Sequence, residues 1–347
     1  MALRPRSLLV HVGHGKTGSS YVQSALAGSR DTLRDHGIAY PIAEDRARAA
    51  QDGGISSGNL RYTAGALRAL LNTPQAQDAE QVLISSESLF PTLTRGGEAF
   101  LAEAQAAVPG IEVKVLLYIR DPMDHAVSCY HQDVKRGGFT GSFAQSLADY
   151  NIPQKVGSFL RLFTDAGVDV AVRNYARHSK AILPSFENWL GLPGGSLALP
   201  PVERVNRSLT LGEIELQKAF NVHFGKEARR FVSDPLCTHL PEIRSELPPL
   251  AESDLVTFLD RMRGVIGHEV FAQAIPAEEA YALGTFADHA ARFAAVADSD
   301  QVTFSRAQLT VFVDALHKEL ARVTVLRKML HKQRDPERPA GRAKERL

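Results

Sequence analysis

The chain has 347 residues, 44% of them hydrophobic and 23% charged, the balance of an ordinary globular protein rather than a disordered or collagen-like one. Lys and Arg number 40 against 39 Asp and Glu, which excludes the global basic field of a nucleic-acid wrapper, and two cysteines cannot build a disulfide framework or a four-thiolate zinc site. No apolar run is long enough to span a bilayer, and the run after the basic start is too short for a signal peptide, so a soluble cytoplasmic protein is expected.

Leu8 to Val12 is the first apolar run that reads as a strand buried on both faces. Val82 to Ile84, Val113 to Ile119 and Val168 to Val172 follow, and helix-period stretches such as Val156, Phe159, Leu160 and Phe163 lie between them. Strands alternating with helices across long connections predict parallel pairing and a three-layer α/β sandwich with a central parallel sheet. In such a sheet ligands sit at the carboxyl ends of the strands. From Leu209 the character changes: Thr210 to Glu213 has the capping-box form, and Asp254 to His331 is helical by period. The expected organisation is an α/β core over 1–208, a helical C-terminal appendage over 209–331 that packs on the core, and a flexible tail over 332–347.

The strongest local signal follows the first strand. His11-Val-Gly-His14-Gly15-Lys16-Thr17-Gly18-Ser19-Ser20-Tyr21 opens directly into a helix. Glycines that let the backbone approach closely, a lysine, small hydroxyl residues and a helix N-terminus together describe a phosphate cradle. A nucleoside-triphosphate P-loop, G-x-x-x-x-G-K-[ST], requires glycine at position 10, where this chain has Val10. A second motif follows the third run: Tyr118-Ile-Arg120-Asp121-Pro122, with Ser128 eight positions after the arginine. Asp121 is suited to cap the helix that Pro122 begins, and the planar fork of Arg120 suits a phosphate. His125 and Tyr130 read as packing residues of that helix.

Together these two motifs resemble those of sulfotransferases that use 3′-phosphoadenosine-5′-phosphosulfate (PAPS). Lys16 to Ser20 is similar to the 5′-phosphosulfate loop of that family, and Arg120 with Ser128 to its 3′-phosphate segment. His36 to Pro41, Phe186 to Gly191 and Val205 to Leu209 are similar to recurring pieces of its bacterial members, and the resemblance covers roughly 7–220. It implies a P-loop-like fold, PAPS as cosubstrate, adenosine 3′,5′-bisphosphate as product and no metal. The acceptor implied is a hydroxyl of a saccharide or other small molecule. It further implies that Gly15, Lys16, Thr17, Gly18, Ser19 and Ser20 surround the 5′-phosphate and that Tyr21 stands where cytosolic members stack a tryptophan on adenine. Tyr175 is placed like a family tyrosine near adenine, although a strand-end aromatic needs no ligand. The family's basic C-terminal segment has no clear copy; Arg204 and Arg207 are the candidates to replace it.

Sulfuryl transfer needs the leaving phosphate stabilised and the acceptor hydroxyl activated. Lys16 is the candidate for the first task. Glu87, at the end of the second apolar run, is a candidate base, and equally a helix cap or a partner of Lys16. His14 is a second candidate base, and His11, within the strand, reads as a core residue. A nucleotide-dependent kinase and a non-catalytic nucleotide-binding scaffold are the rival functions.

Overall fold

The computed structural model describes residues 5–51, 58–200, 207–294 and 301–334. The four apolar runs become strands, joined by a fifth of only two residues, too short to leave a periodic signal. In chain order they are β1 (Ser7–Val12), β2 (Ile38–Ala39), β3 (Gln81–Ser86), β4 (Glu112–Ile119) and β5 (Asp169–Asn174). Every pairing is parallel and the order across the sheet is β2-β3-β1-β4-β5. The expected α/β architecture with a central parallel sheet is therefore present.

Alternation within the strands builds the layers. Leu8, Val10 and Val12 of β1 join Val82, Ile84, Val115 and Leu117 on one face. That face is covered by the helices Leu89–Ala107 and Ile152–Asp165, which bury Phe100, Phe159 and Phe163. Leu9, Leu83, Leu116 and Tyr118 point the other way, toward the helices Ser19–Gly28 and Ile182–Leu190 with Val22, Leu26 and Phe186. Each such side chain contributes about 1.5–3 kcal/mol on burial, so strands buried on both faces hold the register firmly. The chain leaves β1 for β2 and β3 on one side and then crosses to β4 on the other. In parallel sheets such a switch point is where ligands are bound, which directs attention to the carboxyl end of β1.

The described residues divide into two units, and the division is not the linear one expected. The first takes those up to 130, then 142–200 and 248–294; the second takes 131–141, 207–247 and 301–334. The expected appendage is thus split. Its middle belongs with the sheet because Phe271 and Ile275 are buried in the same core as Phe159 and Val172. Conversely, 131–141 joins the second unit, where Asn221 donates to the carbonyls of Val134 and Phe139 at 2.8 and 2.9 Å. The helix Arg306–Arg334 continues through Lys332, where a flexible tail was expected to start, and the tail from 335 on lies outside the described residues. No helix among the described residues is long and apolar enough to cross a membrane.

The second unit is organised around a buried ion pair. Thr210 and Glu213 form the capping box foreseen in the sequence, at the start of the helix Leu211–Phe224. The Glu213 carboxylate also accepts from both terminal nitrogens of Arg207 at 2.7 Å and from Gln308 at 2.8 Å. Burial alone would raise the Glu213 carboxyl, but these hydrogen bonds and that of the Thr210 N–H outweigh it and hold the group below its ordinary 4.5. The pair therefore stabilises the fold above that pH and is lost as pH falls through the lowered value. Glu213→Gln leaves the Arg207 charge uncompensated and is expected to destabilise the unit by about 3 kcal/mol or more. Urea titrations at neutral and acidic pH check this: the deficit should be large at pH 7 and shrink as the wild type loses its own pair in acid.

Candidate active site

The residues that follow β1 are fixed by how closely the chain passes its neighbours. The N–H of Gly13 donates to the carbonyl of Ser86 at 3.0 Å, and a Cβ on Gly13 would lie 2.7 Å from Cα of Glu87. Only glycine fits, and the contact brings Glu87 to the edge of the loop. Lys16 has φ +65°, the one left-handed non-glycine among the described residues, and Gly18 follows at φ +80°. A Cβ at Gly18 would sit 2.6 Å from Cδ1 of Ile182 and 3.1 Å from the Tyr175 ring. The loop is thus wedged between the exits of β3 and β5.

Side chains then seize successive carbonyls from within. The His14 carbonyl accepts from the hydroxyls of Thr17 at 2.6 Å and Ser19 at 3.2 Å. The Gly15 carbonyl accepts from Nδ1 of His14 at 3.0 Å and Nε2 of His125 at 2.9 Å. The Lys16 carbonyl accepts from Nη1 of Arg120 at 3.0 Å. In a trans peptide the N–H points opposite to the carbonyl it follows. The amides of Gly15, Lys16 and Thr17 are therefore directed away from these donors. Among the described residues, no acceptor takes the backbone N–H of Gly15, Thr17, Gly18, Ser19 or Ser20. The helix Ser19–Gly28 begins with no side-chain cap and no acidic residue of its own in its first turn; the carboxylate beside that turn is Glu87, which accepts from the Ser20 hydroxyl. Thr17 and Ser19, expected to surround a 5′-phosphate, spend their hydroxyls on the His14 carbonyl and leave their amides open.

Arg120 stands one residue past β4. Beyond its bond to Lys16 its guanidinium makes no hydrogen bond or ion pair among the described residues, and it lies over the Tyr175 ring with 5.6 Å to the centroid. Lys16, Gly18, Arg120 and Tyr175 are thus brought together. Ser128 is half-buried and its hydroxyl has no partner among the described residues. Tyr21 is half-buried against the core. Asp121 has long-range partners. Its carboxylate accepts from the Asn174 side chain and the Ala282 N–H, both at 2.8 Å, tying 280–282 over the ends of β4 and β5.

The candidate bases differ in setting. Glu87 is exposed, and its Oε1 accepts from the Ser20 hydroxyl at 3.0 Å. His14 is buried beneath the loop against Phe90 and His125, and burial pushes its imidazole down to about 4. His11 is a core residue as expected, bonded to the Ser85 hydroxyl at 2.7 Å, and burial lowers it to about 3. His125 is more than a packing residue, since it holds Gly15; Tyr130 does pack, against Phe143. Nothing in the local spacing announces this role, because His125 is 110 residues from the carbonyl it binds.

Arg207 belongs to the second unit and does not serve a phosphate in this arrangement. All its donors are taken, by Glu213, Ser208, Leu236 and Leu240. Arg204 lies outside the described residues. No protein-family model and no curated protein sequence matches the chain.

The left-handed Lys16 is a strained backbone position, at a cost of order 1 kcal/mol. Lys16→Gly is expected to raise stability by up to about 1 kcal/mol, because the strain leaves with the side chain. Thermal unfolding of the variant beside the wild type checks this. A less stable glycine variant would contradict the strain.

Proposed function

We propose that the chain is a PAPS-dependent sulfotransferase that moves a sulfuryl group to a hydroxyl of a saccharide or other small molecule in the cytoplasm. The observation that carries this is two sets of hydrogen-bond donors left open at one sheet edge. The inward-bound carbonyls of His14, Gly15 and Lys16 leave a row of outward amides at the end of β1, and Arg120 waits without a carboxylate at the end of β4. A 3′,5′-bisphosphate nucleotide has two separated anionic groups to match them. The order β2-β3-β1-β4-β5 with the cradle after β1 supports a P-loop-like fold, while Val10 and the lone Arg120 favour PAPS over a nucleoside triphosphate.

In this mechanism the amides of Gly15 to Ser20 and the Lys16 ammonium hold the 5′-phosphosulfate, and Lys16 stabilises the charge that develops on the leaving phosphate oxygen. Arg120 and Ser128 take the 3′-phosphate, and Tyr175 offers a ring face to the adenine. The acceptor oxygen attacks sulfur, the bond from sulfur to the phosphate oxygen breaks, and the acceptor proton passes to Glu87. Glu87 suits that step because it is exposed at the loop and held by Ser20, whereas His14 is buried beneath the loop with Nδ1 committed to the Gly15 carbonyl.

Adenosine 3′,5′-bisphosphate is expected to bind at least about thirtyfold more tightly than 5′-AMP, the scale of one charge-assisted bidentate contact. Arg120→Met should remove most of that difference. Calorimetry with both nucleotides and with ATP checks this: equal affinities refute the 3′-phosphate site, and preference for ATP favours a kinase.

Glu87→Gln is expected to retain bisphosphate binding and to lose about a hundredfold or more in turnover, since the shape is kept and the proton acceptor is not. Radiolabelled sulfuryl transfer to a panel of hydroxyl acceptors provides the measurement. Turnover within a few-fold of wild type would exclude Glu87 as the base.

A further inference from the structure

We infer that His125 and Tyr150 are positioning residues of the phosphate loop, acting as a relay in which the Tyr150 hydroxyl fixes the His125 ring and that ring fixes the Gly15–Lys16 peptide. The inference rests on the proposed anion-binding role of the loop and names what holds it in shape. Neither residue is within the loop, and neither offers a group to the outward amides.

The hydrogen-bond directions follow from chemistry. The Gly15 carbonyl can only accept, so Nε2 of His125, 2.9 Å away, carries the proton. Burial, with His14 close by, holds the ring well below its ordinary pKa, so it is neutral and Nδ1 is a bare lone pair. Tyr150 Oη is 3.0 Å from Nδ1, and burial keeps that phenol protonated; its O–H therefore donates. Cys129 Sγ, 3.5 Å from the same nitrogen, adds only a weak S–H donor. The same reasoning makes Nδ1–H of His14 the second donor to Gly15, which fills both lone pairs of that carbonyl.

The consequence is geometric. With the Gly15 carbonyl gripped from the protein side, the Lys16 N–H is turned to the ligand side and the chain enters Lys16 in the strained left-handed conformation. Releasing the carbonyl lets the peptide rotate, which costs one amide and relaxes Lys16 together. Tyr150 reaches this point as the residue closing the helix Phe143–Asp149, where its ring packs on Phe258.

The test compares His125→Leu, His125→Gln and Tyr150→Phe with wild type. Gln carries a side-chain N–H near the place of Nε2, whereas Leu fills the space without a donor. Calorimetry with adenosine 3′,5′-bisphosphate should show a loss of about tenfold or more for Leu, with affinity restored to within about threefold of wild type by Gln. Tyr150→Phe should weaken binding by about threefold or more. Long-range 1H–15N spectra of the wild type should give His125 as the neutral Nε2–H tautomer, and Tyr150→Phe should disturb that signature. Full affinity in the Leu variant, or a better Leu than Gln, would mean a packing role and overturn the inference, as would an Nδ1–H or protonated ring. If the wild-type protein binds no bisphosphate, the proposed function falls, and the tautomer spectra still decide the relay.

Discussion

The site depends on which way three peptide groups face. Carbonyls and amides alternate in direction along an extended turn, and an anion site requires the amides to win the open side. Here the carbonyls of His14, Gly15 and Lys16 are each claimed from the interior, by hydroxyls, imidazoles and a guanidinium in turn. The same donors satisfy buried acceptors that would otherwise cost about 1–3 kcal/mol each. Shape and solvation thus push in one direction, and the Lys16 strain is sustained by them together. The sheet supplies the anchor: β1 is central, its exit is pressed on Glu87 through Gly13, and the loop has little freedom left.

Much of this was legible in the sequence, and the parts that were not share a physical cause. Long apolar runs announced four strands because burial on both faces leaves no polar interruption, whereas Ile38–Ala39 forms a strand by pairing with Gln81 and Val82 and carries no pattern of its own. Gly13 and Gly18 stand out because close approach and a left-handed backbone restrict residue type there, and Lys16 and Arg120 because cationic side chains directly after buried strands are conspicuous in the sequence. For Thr17 and Ser19 the sequence leaves open what their hydroxyls bind, since a hydroxyl serves a carbonyl as well as a phosphate, and only the fold decides which. His125 and Tyr150 were illegible as a pair, since the carbonyl they serve is far away in sequence. The structural setting of Arg207 is hidden for the same reason: its partners Glu213, Leu236 and Leu240 come from later in the chain.

The two units solve the burial of charge in opposite ways. In the first, Arg120 keeps most of its donors unspent beside an aromatic face, a condition that favours an arriving anion over an internal one. In the second, Arg207 is saturated, and Lys135 adds its ammonium to the Arg207 carbonyl at 2.8 Å while burial lowers that lysine below its usual range. A saturated guanidinium fixes geometry but has nothing left to recognise. The contrast between an idle and an occupied arginine separates a binding position from a structural one more clearly than charge does.

The interleaved order of the two units sets the schedule on which the chain becomes a protein. A ribosome delivers the loop, β1, β3, β4 and β5 long before Phe271 and Ile275, which complete the sheet's core, and Glu213 well before Gln308. Through that interval an apolar sheet face is unfinished, and both units await contacts closed over long stretches of chain, a slow step by loop-closure entropy. Nascent chains in this window are the ones exposed to aggregation and to holdase chaperones. A gene cut at the apparent border of the α/β half would release that unfinished intermediate rather than a smaller folded domain.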